Sequence, residues 1–68
     1  MEKFRITMDN PDGSLETVWE KKATRKVMVE EFDKICQAQR KAREANPEIK
    51  WRVVRVFDAW GEELWHES

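Results

Sequence analysis

The only two glycines of the chain, Gly13 and Gly61, each stand fourth in a tetrad opened by a polar residue. The first tetrad is Asn10-Pro11-Asp12-Gly13 and the second is Asp58-Ala59-Trp60-Gly61. Proline at the second position of a turn presets its φ angle, and glycine accepts the positive φ that other residues resist. Such a tetrad is most often a type I turn closed by a glycine bulge, which joins two strands of a tight hairpin. A chain punctuated in this way near both ends is constrained to carry two hairpins.

The flanking residues agree. Phe4, Ile6 and Met8 alternate with Arg5 and Thr7, which predicts a strand over Phe4–Met8. The return strand is expected over Leu15–Lys21, rich in Thr, Val and Trp. A third strand over Ile49–Phe57 is dense in β-branched and aromatic residues, and a short fourth follows over Glu62–Trp65. Between the hairpins, Thr24 can cap a helix that runs to about Ala45. Met28, Phe32, Ile35, Gln39 and Ala42 recur at helical spacing, Val29 and Cys36 widen that stripe, and charged residues fill the other faces. Asn46 is expected in the left-handed position after the helix, with Pro47 preventing continuation. The reading is one α+β domain over residues 1–68: ββαββ, a four-stranded antiparallel sheet with one amphipathic helix packed on one face.

At 68 residues the core is thin, since a domain of about this size buries only ~60% of the surface its unfolded chain exposes. Four Trp and three Phe are therefore more aromatic bulk than such a core readily holds. Where they point depends on hairpin register, because a one-residue slip turns every side chain to the other face. With a glycine bulge in each turn, Asn10 pairs with Ser14 and Asp58 with Glu62. Counting back sets Ile6 opposite Val18, Arg5 opposite Trp19, Val56 opposite Leu64 and Arg55 opposite Trp65. One face then collects Phe4, Ile6, Met8, Val18, Val54, Val56 and Leu64, which suits the helix. The other collects Leu15, Trp19, Trp51, Val53, Phe57 and Trp65 among Arg5, Arg55, Thr7 and Thr17. A competing register without the first bulge sets Phe4 opposite Trp19 and Met8 opposite Leu15, and pairs Lys3 with Glu20.

Under the bulged register Trp19, Trp51, Trp65, Phe57, Arg5 and Arg55 form an open aromatic and arginine-studded face. Exposed apolar patches on small proteins mark interaction sites, and Trp and Arg dominate binding hot spots. The plainer alternative is that these Trp residues complete a two-sided core. A second cluster, Lys21, Lys22, Arg25 and Lys26, gathers where the helix dipole disfavours cations, so it could receive an anion or an acidic partner. The plainer reading, a solvated corner whose penalty water screens, is the favoured one. Arg40, Lys41 and Arg43 lie near the helix C-terminus, where the dipole favours them without any function. Glu62, Glu63 and Glu67 could mimic phosphates, or be an ordinary acidic tail.

Charged residues are 40% of the chain, yet the net charge is −1, which is not the basic excess of a protein that grips duplex nucleic acid. With one cysteine, Cys36, and one histidine, His66, there is neither a disulfide nor a zinc ligand set. No catalytic residue is identified: no nucleophile is patterned with His66, no glycine-rich phosphate loop exists, and Cys36 reads as a small core residue. The absence of staples, signal peptide and ~20-residue apolar span predicts a cytoplasmic protein that does not enter a membrane. No cofactor, metal or small-molecule substrate is expected.

A four-stranded sheet with aromatics on its open face is similar in outline to RNA-recognition sheets, although their basic-Gly-aromatic-Gly run is absent and the strand order in sequence differs. In size, charge richness and ββαββ order the chain also looks like the short accessory proteins of phages and mobile elements, many of which occupy a host protein. The expectation is a non-catalytic protein-binding module, an inhibitor or regulator of a host protein or a self-associating one. The alternative is a single-stranded RNA or DNA binder that stacks bases on Trp with Arg and Lys support.

Overall fold

The computed structural model describes all 68 residues. Its elements are β1 (Glu2–Asp9), β2 (Leu15–Ala23), α1 (Arg25–Ala45), β3 (Val54–Phe57) and β4 (Glu63–Glu67). The strands form one antiparallel sheet in the order β2-β1-β3-β4, so the two hairpins join through their first strands. One helix covers one face, and the molecule is a slab of 38 × 25 × 15 Å.

Both turns close as the tetrads predict. The amide of Asn10 donates to the Ser14 carbonyl at 2.8 Å and that of Gly13 to Asn10 at 3.0 Å. Asp58, Glu62 and Gly61 repeat the arrangement at 3.0 and 3.1 Å. Gly13 and Gly61 are the only residues with positive φ, at 88° and 79°. Asp12 and Asp58 brace the two turns by accepting amide hydrogen bonds, from Ser14 and from both Trp60 and Glu62 respectively.

Neither expected register survives along a whole strand. From the first turn, Asp9, Met8 and Thr7 pair with Leu15, Glu16 and Thr17 as the bulged turn dictates. A second bulge then takes up Val18, so that Ile6 faces Trp19 and Arg5 faces Glu20. The second hairpin does the same at Leu64: Phe57 faces Glu63, but Val56 faces Trp65 and Arg55 faces His66. Each bulge shifts the following residues by one, and the side-chain period of two turns Trp19 and Trp65 over to the helix side.

The core comprises Phe4, Ile6, Met28, Phe32, Cys36, Val54 and Val56, with Met8, Val18, Trp19, Ile35, Trp51, Leu64 and Trp65 packed against it. Trp65 meets Phe32 edge-on, ring centroids 5.6 Å apart. The helix starts on Thr24, whose Oγ1 accepts from the Val27 amide. Val29, expected in the buried stripe, lies on an exposed flank. Asn46 is extended (φ −143°, ψ 94°) rather than left-handed, because the ring of Pro47 pushes the preceding residue into the β region.

The third strand is shorter than Ile49–Phe57. Residues 49–52 lie outside the strand and are held by the helix, while the Val53 carbonyl accepts from the Asp9 amide of β1 at 3.0 Å. Gln39, 8% exposed in the apolar stripe, accepts from the Arg52 amide at 2.7 Å and donates to the Arg52 carbonyl at 3.0 Å. Arg43 donates to the Ile49 carbonyl at 2.9 Å. Arg52 in turn reaches the first hairpin, donating to the Asp9 carbonyl and to Asn10 Oδ1, each at 2.9 Å. One glutamine thus does the work of a neighbouring strand.

Candidate functional site

The six residues expected on one open face are divided by the structure. Trp19 and Trp65 lie on the helix side for the reason given above, and each is half-buried. Trp51 precedes β3 and lies beside the helix. Its indole Nε1–H donates to the Glu67 carbonyl at 3.1 Å, and the Arg40 and Arg43 guanidinium groups sit 5.7 and 6.0 Å from its ring. A three-tryptophan face is therefore absent. Only Arg5, Phe57 and Arg55 remain on the side away from the helix.

That side is a charged lattice. The Arg5 guanidinium stacks over its cross-strand neighbour Phe57 at 4.8 Å. Arg55 donates to both carboxylate oxygens of Asp9, at 2.9 and 3.0 Å, and to Glu63 at 2.8 Å. His66 Nδ1 lies 3.2 Å from the other Glu63 oxygen. The Arg55 hydrogen bonds hold the Asp9 and Glu63 carboxyls below their usual range, and the same pairing raises the guanidinium pKa. Thr7 lies within this lattice, 0% exposed, with its hydroxyl unpartnered.

Lys21, Lys22, Arg25 and Lys26 are all exposed around the helix start. No acid occupies the first turn, and none of the four forms an ion pair. Arg25 lies 5.9 Å from the Phe4 ring. Among the acids near the C-terminus, Glu63 is held by Arg55 and Glu67 by Arg40, the latter at 2.8 Å.

The aromatic residue that does face solvent is Trp60, 85% exposed at the second turn. Its backbone is fixed twice over, by the glycine-bulge turn and by Asp58 Oδ1, which accepts from the amides of Trp60 and Glu62 at 2.9 Å each. Trp60 borders a shallow cleft of about 350 Å³ with Lys3, Phe4, Arg5, Glu20, Asp58, Ala59 and Gly61. The cleft exists because β3 pairs with β1 only as far as Arg5 and then turns away. Sequence reasoning used Trp60 as a turn residue only. The missed signal was its place between Ala59 and Gly61, where a turn has no core to offer an indole.

The Cys36 thiol is buried beneath the helix, and burial, reinforced by Glu67, pushes its pKa up to about 12, the reverse of an activated nucleophile. No group of three or more His, Cys, Asp or Glu side chains is placed to hold a metal ion. No helix is long and apolar enough to cross a membrane. Comparison with protein-family models, with curated proteins and with solved structures finds no match for this chain.

Proposed function

We propose that this chain is a small non-catalytic protein-binding module that engages a partner protein through Trp60 and the Arg5–Phe57 stack beside it. The observation that carries the reading is the large indole held out in water on a rigid turn. Ordering a mobile segment adds to the cost of association, and the turn has already fixed the Trp60 backbone. Tryptophan anchors of this kind, seated near arginine, recur as hot spots. The surrounding charges are of both signs and largely satisfied within the fold, which suits selection among protein surfaces better than attraction to phosphate. A module of this size acts by occupying a surface on its partner, as an inhibitor or regulator does.

Single-stranded RNA or DNA is the second reading, favoured by the position of Trp60 beside Lys3 and Arg5. It has one accessible stacking platform rather than the three first expected.

Trp60→Ala separates role from stability. The variant is expected to keep wild-type stability within about 0.5 kcal/mol, as exposed substitutions do, while partner capture from cell extract falls to background. Capture that survives the substitution would remove Trp60 from the interface. Titration of the intrinsic fluorescence with short single-stranded oligonucleotides at low and high salt decides the second reading. Saturable quenching that fades with salt would promote it.

A further inference from the structure

We propose that two copies of the chain join edge to edge along β2, antiparallel about a two-fold axis between Val18 and Trp19, giving one continuous eight-stranded sheet. The argument begins with the backbone. The Asp9 amide donates to the Val53 carbonyl, so Asp9 and, by strand alternation, Thr7, Arg5 and Lys3 turn their peptide groups toward the β3 side. Their partners on β2 are Leu15, Thr17, Glu20 and Lys22. These four residues therefore direct their own N–H and C=O groups outward, along the longest strand of the sheet and at its free edge.

Two copies can use those groups in one register without conflict. A continuous antiparallel sheet keeps each face on its own side, so residues that meet must come from the same face. Setting Thr17 opposite Glu20 and Leu15 opposite Lys22 joins outward-directed groups to outward-directed groups. Glu16 then faces Lys21, both on the helix side, and Val18 faces Trp19. The bulge at Val18 makes this match, because it separates the two halves of β2 by one residue and lets their alternations coincide under the two-fold.

Charge favours the same alignment. On the helix side of β2 the charges are Glu16 near its start and Lys21 near its end, while Glu20 is paired with Lys3 in its own chain. Antiparallel self-pairing sets each end against its opposite, with the Glu16–Lys21 contact made twice. Lysines and bulges on an edge strand commonly repel other strands. Against this one partner the lysine is matched and the bulge is shared, so both features select a second copy over an unrelated edge.

Sedimentation equilibrium over a concentration series tests the proposal. The expected result is a reversible monomer–dimer equilibrium. Glu16→Lys and Lys21→Glu should each raise the dimer dissociation constant about tenfold, since each loses two cross-strand pairs. The doubly exchanged chain should recover the wild-type constant. Both positions are exposed; Glu16 also lies 3.3 Å from Arg52 in its own chain, a contact that Lys21→Glu leaves intact, and circular dichroism checks that the variants fold. A monomer at every concentration overturns the proposal, as does a dimer indifferent to the exchanges or single variants that the double exchange does not rescue. Trp60→Ala should leave the dimer unchanged. A dimer that it abolishes would place self-association at the turn cleft and refute the edge pairing, so this proposal and the partner-binding one fail separately.

Discussion

Four tryptophans in one short chain serve different ends, and their surroundings say which. Trp65 is half-buried and packs edge-on against Phe32 at the border of the core cluster, so Trp65→Ala strips apolar cover from one side of a thin core. A loss of about 2–3 kcal/mol is expected, below the range for a fully enclosed indole, and urea denaturation monitored by circular dichroism measures it. Trp60 contributes nothing to that core. Residue types and spacings were sufficient to identify the core aliphatics, the Thr24 cap and both turn glycines. They could not assign Trp19 and Trp65 to a face, because each lies one residue beyond a bulge and a bulge has no composition of its own. Val18 and Leu64 read as ordinary strand residues.

At the scale of elements, the helix stabilises more than the sheet face it covers. Gln39 gives its side-chain amide to both peptide groups of Arg52, at a place where the sequence predicts strand. Gln39→Leu keeps the bulk and removes both hydrogen bonds, leaving a half-buried N–H and C=O without partners. The expected cost is about 1–3 kcal/mol. Amide hydrogen exchange should show faster exchange at Arg52 with the β1–β2 hairpin unaffected, whereas uniform acceleration would mean that the glutamine stabilises the whole fold rather than this segment. The length of β3 was misread for the same reason. A run of Ile, Trp, Val and Val has the composition of a strand, but strand composition does not supply a neighbour, and here the neighbour is a side chain.

Across the whole molecule, the open face is held by charge where the other is held by apolar burial, so acid should weaken it selectively. Asp9 and Glu63 have folded pKa values below their ordinary 3.8 and 4.5 because Arg55 hydrogen-bonds their ionised forms. A depressed folded pKa gives stability that is complete above the ordinary value and lost as pH falls through it toward the folded one. The urea midpoint should therefore hold from neutral pH to about the carboxylate range and fall below it. Asp9→Asn should lower the neutral-pH midpoint and flatten the acid decline. An unchanged acid slope would show that other carboxyls govern it. The overall architecture, α+β with one helix on a four-stranded antiparallel sheet, follows from two turns and one amphipathic stripe. The division of the two faces into apolar and ionic does not, because it depends on the strand bulges.

The β1–β3 seam joins parts of the chain that are far apart in sequence, and the exposed connection around Pro47 takes no part in it. A cut after Pro47 leaves a long piece holding Phe4, Ile6, Met28, Phe32 and Cys36, and a short piece holding Val54, Val56 and Trp65. Neither can complete the core alone. Each piece is expected to be unfolded by circular dichroism, and an equimolar mixture to regain the native spectrum with a concentration-dependent midpoint. The domain would then behave as a pair of complementing fragments, able to report the proximity of whatever two molecules they are fused to.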